Sequence, residues 1–187
     1  MLSSTSLVLL SLFVSALASP SPVLDQRAAA LTCPTFSNSD EPNSLTLLAV
    51  SEGTTFQRPL ALGTVAGVAV IAASDTLTET LATNFILKDN GLYSDPVGWI
   101  SDAVAANGLL SFTASTTGTA VPAYCDEFTT SPHGAPDLLT VGENVNGFAL
   151  CTASNSVEVI VYEPVNGTTN PYDASTCVAV FLEVIHN

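Results

Sequence analysis

The chain has 187 residues, of which 17 are acidic and only three are Lys or Arg, so its formal net charge is −14. Such a surface repels nucleic acid and anionic lipid, because phosphate binding depends on clustered Lys and Arg. Apolar residues make up 47% of the chain and charged residues 11%. Ser, Thr, Asn and Gly must therefore cover most of the surface, as is usual for an extracellular protein.

Residues 1–18 are predicted to be a secretory signal peptide. An apolar run covers residues 7–17, and the small-residue pattern ALA at 16–18 is typical of a cleavage site. The run is too short to cross a bilayer, and the alternative is a retained interfacial anchor. Residues 19–32 have the composition of a linker or short propeptide, and residues 33–187 are predicted to form a single domain.

Nearly every segment of this domain has the composition of a β-strand. Segments rich in β-branched and aromatic residues are bounded by turn residues, which predicts strands. The predicted strands cover 45–50, 65–72, 84–87, 108–113, 147–152, 157–162 and 177–185. Residues 75–82 and 101–106 are candidates for a helical turn, and both are shorter than an average helix.

Alternation of side chains is clearest in the last two predicted strands. In residues 157–162 the three valines at odd positions are expected to face the core, and Glu158 marks the wetter face. In residues 177–185 we expect the core face to carry Val178, Val180, Leu182 and Val184.

The dipeptide Asn-Gly occurs four times, beginning at Asn90, Asn107, Asn146 and Asn166. It indicates a hairpin, because a type I′ turn needs positive φ at both central residues. Asn146 follows Asn90 by 56 residues, and Asn166 follows Asn107 by 59. Three units of about 53 residues would fill the mature chain, which favours a β-trefoil-like barrel; a two-sheet β-sandwich is the alternative.

Four cysteines follow the predicted signal peptide: Cys33, Cys125, Cys151 and Cys177. An even count in an exported chain predicts two disulfides, for which three connectivities are possible. Cys151 ends one predicted strand and Cys177 opens another, which favours pairing these two and leaves Cys33 with Cys125. No metal site or cofactor is expected, because the nearest cysteines are 26 residues apart and the chain has only two histidines.

No catalytic motif is evident. His133 lies in a loop between two prolines, His186 is the penultimate residue, and there is no G-x-S-x-G. A glycosidase needs two carboxylates at a fixed distance, and no motif selects a pair among the many acids, which include the adjacent Asp126 and Glu127. We therefore predict a non-enzymatic protein, with a small secreted hydrolase or a protease inhibitor as one alternative.

A carbohydrate-binding module is the other alternative. Binding by β-rich secreted domains uses exposed aromatic rings, and the candidates here are Trp99, Tyr93 and Tyr172, with Asn90 or Asn107 alongside. The only N-x-[ST] sequon begins at Asn166, which predicts N-glycosylation there.

Four segments in order, LTLLAVSEGTTFQRPLAL, NFILKDNGLYS, LTVGENVNGFALCTASNSVEVIVYEPVNG and ASTCVAVFLEVI, carry a family resemblance. They resemble the fungal cell-wall proteins of the PhiA type, and the resemblance extends over most of residues 45–185. The resemblance implies a secreted or wall-associated, non-enzymatic protein of fungal surfaces. Wall polysaccharides or wall proteins are the partners that we hypothesise. It brings no catalytic residues, and Cys151 and Cys177 match the late cysteine pair of that family.

Overall fold

The computed structural model describes residues 33–51, 55–128, 136–153, 155–167 and 170–187. These residues form sixteen β-strands and no helix, so the predicted all-β class is confirmed. The strands are β1 Ser37–Asn38, β2 Glu41–Val50, β3 Gln57–Val65, β4 Val68–Ala73, β5 Thr80–Ala82, β6 Asn84–Lys88, β7 Gly91–Asp95, β8 Trp99–Ser101, β9 Gly108–Leu109, β10 Ser111–Ala114, β11 Tyr124–Glu127, β12 Asp137–Val141, β13 Phe148–Ala153, β14 Glu158–Tyr162, β15 Tyr172–Ala179 and β16 Phe181–His186. The predicted signal peptide and linker lie outside the described residues.

Seven of the described strands close into a barrel. The ring runs from β2 through β6, β7, β8, β10, β4 and β3 and back to β2, and every pair in it is antiparallel. Closure depends on β2, because residues 41 and 45 pair with β6 while residues 48–50 pair with β3 along the same strand. Closing the ring leaves no free edge within it, unlike a two-sheet sandwich.

Seven of the other described strands extend the barrel on two sides, while β5 pairs with β3 and β9 with β14. On one side β16 pairs with β2, then β12 with β16, β11 with β12 and β1 with β11. On the other side β14 pairs with β4, and β13 lies between β14 and β15. The last strand of the chain therefore lies beside the first long one.

Strands β4, β13 and β14 separate two apolar cores, because both of their faces are buried. On β14, Ile160 and Tyr162 belong to the main core inside the barrel, whereas Val159 and Val161 belong to a smaller second core on the other face. The predicted inward orientation of the valines is thus correct. The prediction of a wetter opposite face is wrong beyond Glu158, since β14 is covered on both sides.

The threefold repeat expected from the Asn-Gly copies is not found in the described residues. Asn90 lies in the tight hairpin between β6 and β7, where the positive φ values fall on Asp89 (50°) and Asn90 (62°). Asn146 instead precedes β13, which pairs with β14 and β15 and not with β12. The two asparagines occupy unrelated positions, so the main argument for a trefoil is lost.

The second pair of Asn-Gly copies also differs. Asn107 has a positive φ of 63° just before β9, whereas Asn166 lies in the connection between β14 and β15 without one. None of the four glycines that follow these asparagines, all of them described, has a positive φ. At Gly147 the reason for glycine is space, because an added Cβ would lie 2.3 Å from the Tyr162 ring.

Two long predicted strands are interrupted. Residues 65–72 contain a tight turn at Ala66 (φ 51°) and Gly67 (φ 82°) that separates β3 from β4. Residues 177–185 break at Val180, so Val178 is 47% exposed while the three following predicted core residues are buried. Neither candidate helical turn forms: residues 75–82 contain a turn and β5, and residues 102–105 are irregular.

Both disulfides of the described chain tie outer segments to buried strands. Cys33 is bonded to Cys125, a fully buried residue of β11. Cys151 on β13 is bonded to Cys177 on β15 within the second core. These are the pairs that the strand positions favour. Two disulfides are compatible with an extracellular protein.

Replacing Gly147 by Ala is expected to lower the free energy of unfolding by about 1–3 kcal/mol. The added Cβ would meet Tyr162, a core residue, and would lie 2.9 Å from Nδ2 of Asn144. Gly98→Ala is the matched control, because the nearest atom to a Cβ there is 3.9 Å away. Denaturant unfolding of both variants is the measurement, and equal stability of the two would contradict the assigned role of Gly147.

Candidate functional site

Four ionisable side chains lie close together at one end of the four neighbouring strands β2, β16, β12 and β11. They are Glu41 on β2, His186 at the end of β16, Asp137 on β12 and Asp126 on β11. We call these four residues the carboxylate–histidine cluster.

Strand alternation places the cluster at the polar end of the main core. Asp126 pairs with Leu139, and Leu139 pairs with Leu182, both of them fully buried core residues. Asp137 precedes Leu139 by two residues and His186 follows Leu182 by four, so both side chains lie on the same face as those leucines. The apolar face of each strand thus ends in an ionisable group.

The imidazole of His186 lies among the three carboxylates. Its Nε2 is 3.1 Å from Oδ2 of Asp137 and 3.4 Å from Oδ2 of Asp126, and its Nδ1 is 3.8 Å from Oε2 of Glu41. A protonated imidazole carries one positive charge, so it cannot neutralise three ionised carboxylates. The cluster therefore has an excess of negative charge at any pH where all three acids are ionised.

Asp126 is the most deeply buried member of the cluster. It is 0% exposed, and neither of its carboxylate oxygens has a hydrogen-bond partner among the described residues. Burial raises the pKa of Asp126 to about 6; the nearby His186 lowers it, while Asp137 and Glu41 raise it further. A buried carboxylate without hydrogen bonds destabilises the fold unless a cation or proton neutralises it.

The aromatic residues predicted to contact carbohydrate do not form an exposed platform. Tyr93 and Tyr172 are only 8% and 5% exposed, and Trp99 is partly buried against the main core. The backbone N–H of Ala120 donates to the Tyr93 hydroxyl at 3.0 Å, and the Tyr172 hydroxyl donates to Oδ1 of Asn107. All three rings therefore serve mainly in packing.

The two amides considered for carbohydrate binding are also engaged within the protein. Nδ2 of Asn90 donates to the carbonyl of Tyr124 at 3.1 Å, and the carbonyl of Asn90 accepts from the N–H groups of Ala123 and Tyr124. Nδ2 of Asn107 donates to Oδ1 of Asn170 at 2.9 Å. These contacts attach the β6–β7 hairpin and the loop before β9 to neighbouring segments.

The remaining candidate residues are dispersed. Asn166, the predicted glycosylation site, is exposed in the connection between β14 and β15, and His133 lies outside the described residues. Asp126 and Glu127 are adjacent on β11, so their side chains point to opposite faces of the sheet and cannot act together on one substrate.

Sequence reasoning missed the cluster because its members are distributed over 41, 126, 137 and 186 and form no motif. The one available signal is the strand phase. Asp137 lies two residues before the core residue Leu139, and His186 lies two residues after the core residue Val184. Strand phase predicts that these two side chains lie on the core face of their strands. It does not predict which strands are neighbours, so it cannot predict that the four residues lie together.

Comparison with family models, curated proteins and solved structures finds no match. Within the described ranges, no helix is long and apolar enough to span a bilayer. The chemistry of the cluster has therefore to be inferred from its own side chains: three carboxylates around one imidazole, with the central carboxylate buried and without a hydrogen bond.

Replacing Asp126 by Asn should change how stability depends on pH in chelator-containing buffer. The folded-state pKa of about 6 exceeds the usual value near 4, so the folded wild type binds more protons between these values and loses stability as pH rises through this window. The free energy of unfolding of Asp126→Asn relative to wild type should rise by about 2 kcal/mol between pH 4.5 and 7.

The control for this measurement is Glu79→Gln, because the Glu79 side chain is exposed and makes no hydrogen bond or ion pair with the described residues. Its stability should follow that of the wild type across the same pH range. The free energies of unfolding of Asp126→Asn and wild type are obtained from denaturant titrations at each pH. If their difference did not change with pH, the pKa of the Asp126 carboxyl would not be raised in the folded protein.

Proposed function

We propose that this chain is a secreted, non-enzymatic structural or interaction protein associated with a fungal cell wall. The observation that carries the proposal is the position of the two disulfides. Cys125 and Cys151 are 0% and 1% exposed, and each fixes an outer segment to a strand beside the closed barrel. Disulfides of this kind form and persist in the oxidising environment outside the cell, where they stabilise secreted proteins.

The surface chemistry supports the same proposal. With three basic residues against 17 acidic ones, the protein offers no basic patch for anionic partners. Its polar surface consists largely of uncharged hydroxyl and amide groups, which suit hydrogen bonding to wall polysaccharides or wall proteins. The order of strands, turns and cysteines that resembles the PhiA type points to the same setting.

The arrangement of reactive groups favours a non-enzymatic role. Among the described residues, His186 contacts carboxylates and no Ser, Thr or Cys side chain, and all four cysteines are in disulfides. A nucleophile–base pair needs a hydroxyl or thiol within hydrogen-bond distance of the base. The buried Asp126 is also out of reach of a sugar ring, which argues against glycoside hydrolysis at the cluster.

A surface groove favours carbohydrate binding as a second candidate function. The groove lies between the β6–β7 hairpin and residues 116–119, has a volume of about 370 Å³, and is lined by Lys88, Asp89, Tyr93 and a run of threonines. Hydroxyl groups beside an aromatic edge are suitable for binding a sugar.

A glycan array distinguishes the two candidate functions. Binding that is lost in Lys88→Ala and kept in Glu79→Gln would support carbohydrate binding in the groove, and absence of binding by the wild type would exclude it.

The tagged protein, expressed in a filamentous fungus, is expected in the wall fraction and should be released by salt or detergent, because the proposal involves non-covalent contacts. Immunoblotting of fractionated cells, with a secreted unrelated protein as control, is the measurement. Recovery only inside the cells, or release from walls only by glucanase, would contradict this form of association.

A further inference from the structure

We propose that the carboxylate–histidine cluster is a binding site for a divalent transition-metal cation such as Zn²⁺ or Mn²⁺. The inference is independent of the wall-association proposal, since it depends only on the geometry of these four residues. Asp126, His186 and Glu41 would be the ligands, and Asp137 lies beside them, with its Oδ2 3.1 Å from Nε2 of His186.

The spacing of the donor atoms fits an ion. One donor atom from each of Glu41, Asp126 and His186 lies within 4.8 Å of the others. The Nε2 atom of His186 is 3.4 Å from Asp126 and 3.1 Å from Asp137. An ion with bonds of about 2.0–2.2 Å holds its ligands roughly 3–3.6 Å apart, so the donor atoms, above all the Glu41 carboxylate at 3.8 Å from Nδ1, would have to move closer together around an ion.

The buried carboxylate of Asp126 is an independent indication of a ligand. Acidic clusters are common on negatively charged proteins, but their members are normally solvated. Asp126 is 0% exposed, and both of its oxygens lack a hydrogen bond among the described residues while lying beside His186. A metal ion would satisfy these oxygens and offset the desolvation of the carboxylate.

Charge favours a dication over a proton. A protonated His186 supplies one positive charge to three carboxylates, whereas a neutral imidazole with a bound dication supplies two and adds a coordinate bond. Imidazole as a donor favours first-row transition metals, and carboxylates are compatible with Mn²⁺ and Zn²⁺. A site for Ca²⁺ or Mg²⁺ would consist of oxygen donors alone.

The ion has a route to the cluster. The side chains of His186 and Asp137 are 34% and 22% exposed, while Glu41 is 12% exposed and Asp126 is buried behind them. A metal ion can therefore bind first at the exposed imidazole and carboxylate and then contact Asp126 by a short displacement.

The test is calorimetric titration of the full, chelator-treated protein with Zn²⁺ and, separately, Mn²⁺, together with thermal unfolding at several metal concentrations. We expect one ion per chain and a melting temperature that rises with metal concentration, because binding to the folded state adds to its stability. Asp126→Asn and His186→Gln should each weaken binding at least tenfold, whereas Glu79→Gln should bind like the wild type.

Two variants keep the test decisive. Asp126→Asn removes a buried charge that has no hydrogen bond and has only His186 beside it as a counter-charge among the described residues, so the variant is expected to fold, and its loss of metal binding would then report the missing ligand. His186→Gln tests the imidazole: an unchanged affinity in this variant, or a wild-type preference for Ca²⁺ over Zn²⁺ and Mn²⁺, would overturn the assignment. Absence of binding by wild type, or equal binding by wild type and Asp126→Asn, would also overturn it.

Discussion

The pairing of β2 is the constraint on which the rest of the structure depends. This ten-residue strand pairs with β6 near its start and with β3 near its end, which closes the barrel, and with β16 on its other edge. Because β16 leads on to β12 and β11, the same strand also brings Glu41 towards His186, Asp137 and Asp126. Barrel closure and the assembly of the carboxylate–histidine cluster are thus consequences of one set of non-local pairings.

Burial on both faces of β4, β13 and β14 explains how a chain with few charged residues forms a well-packed protein. The main core fills the barrel, and the second core covers the outer face of these three strands and includes the Cys151–Cys177 disulfide. Strands covered on both sides contain continuous apolar runs and not a strict alternation, as in the VIVY of residues 159–162 in β14. The polar exceptions within this apolar interior, above all Asp126, therefore stand out as positions with a role beyond packing.

The sequence predicts those parts of the architecture that depend on local composition. It does not predict those that depend on which strands become neighbours. Composition and strand-like runs suffice for the all-β class, and the strand-end positions of Cys151 and Cys177 favour the pair that the structure contains. The turn at Ala66 and Gly67 was missed because it interrupts an apolar run and Ala rarely adopts positive φ. The Asn-Gly copy at Asn90 does mark a hairpin, but the set of copies was misleading as a sign of a repeat, because a glycine is also needed where space is short, as at Gly147. The cluster could not be predicted, because which strands become neighbours depends on long-range pairing.

The central claim is that the buried Asp126, whose carboxylate oxygens lack a hydrogen bond to any described residue, and the adjacent His186 form a cation site on strands β11 and β16, beside the barrel. Anomalous diffraction at the zinc absorption edge, from crystals of the chelator-treated protein soaked in Zn²⁺, tests it most directly. The account predicts an anomalous peak within bonding distance of an Asp126 carboxylate oxygen and a ring nitrogen of His186. Zinc peaks only at exposed acidic side chains, with none at Asp126, would contradict it.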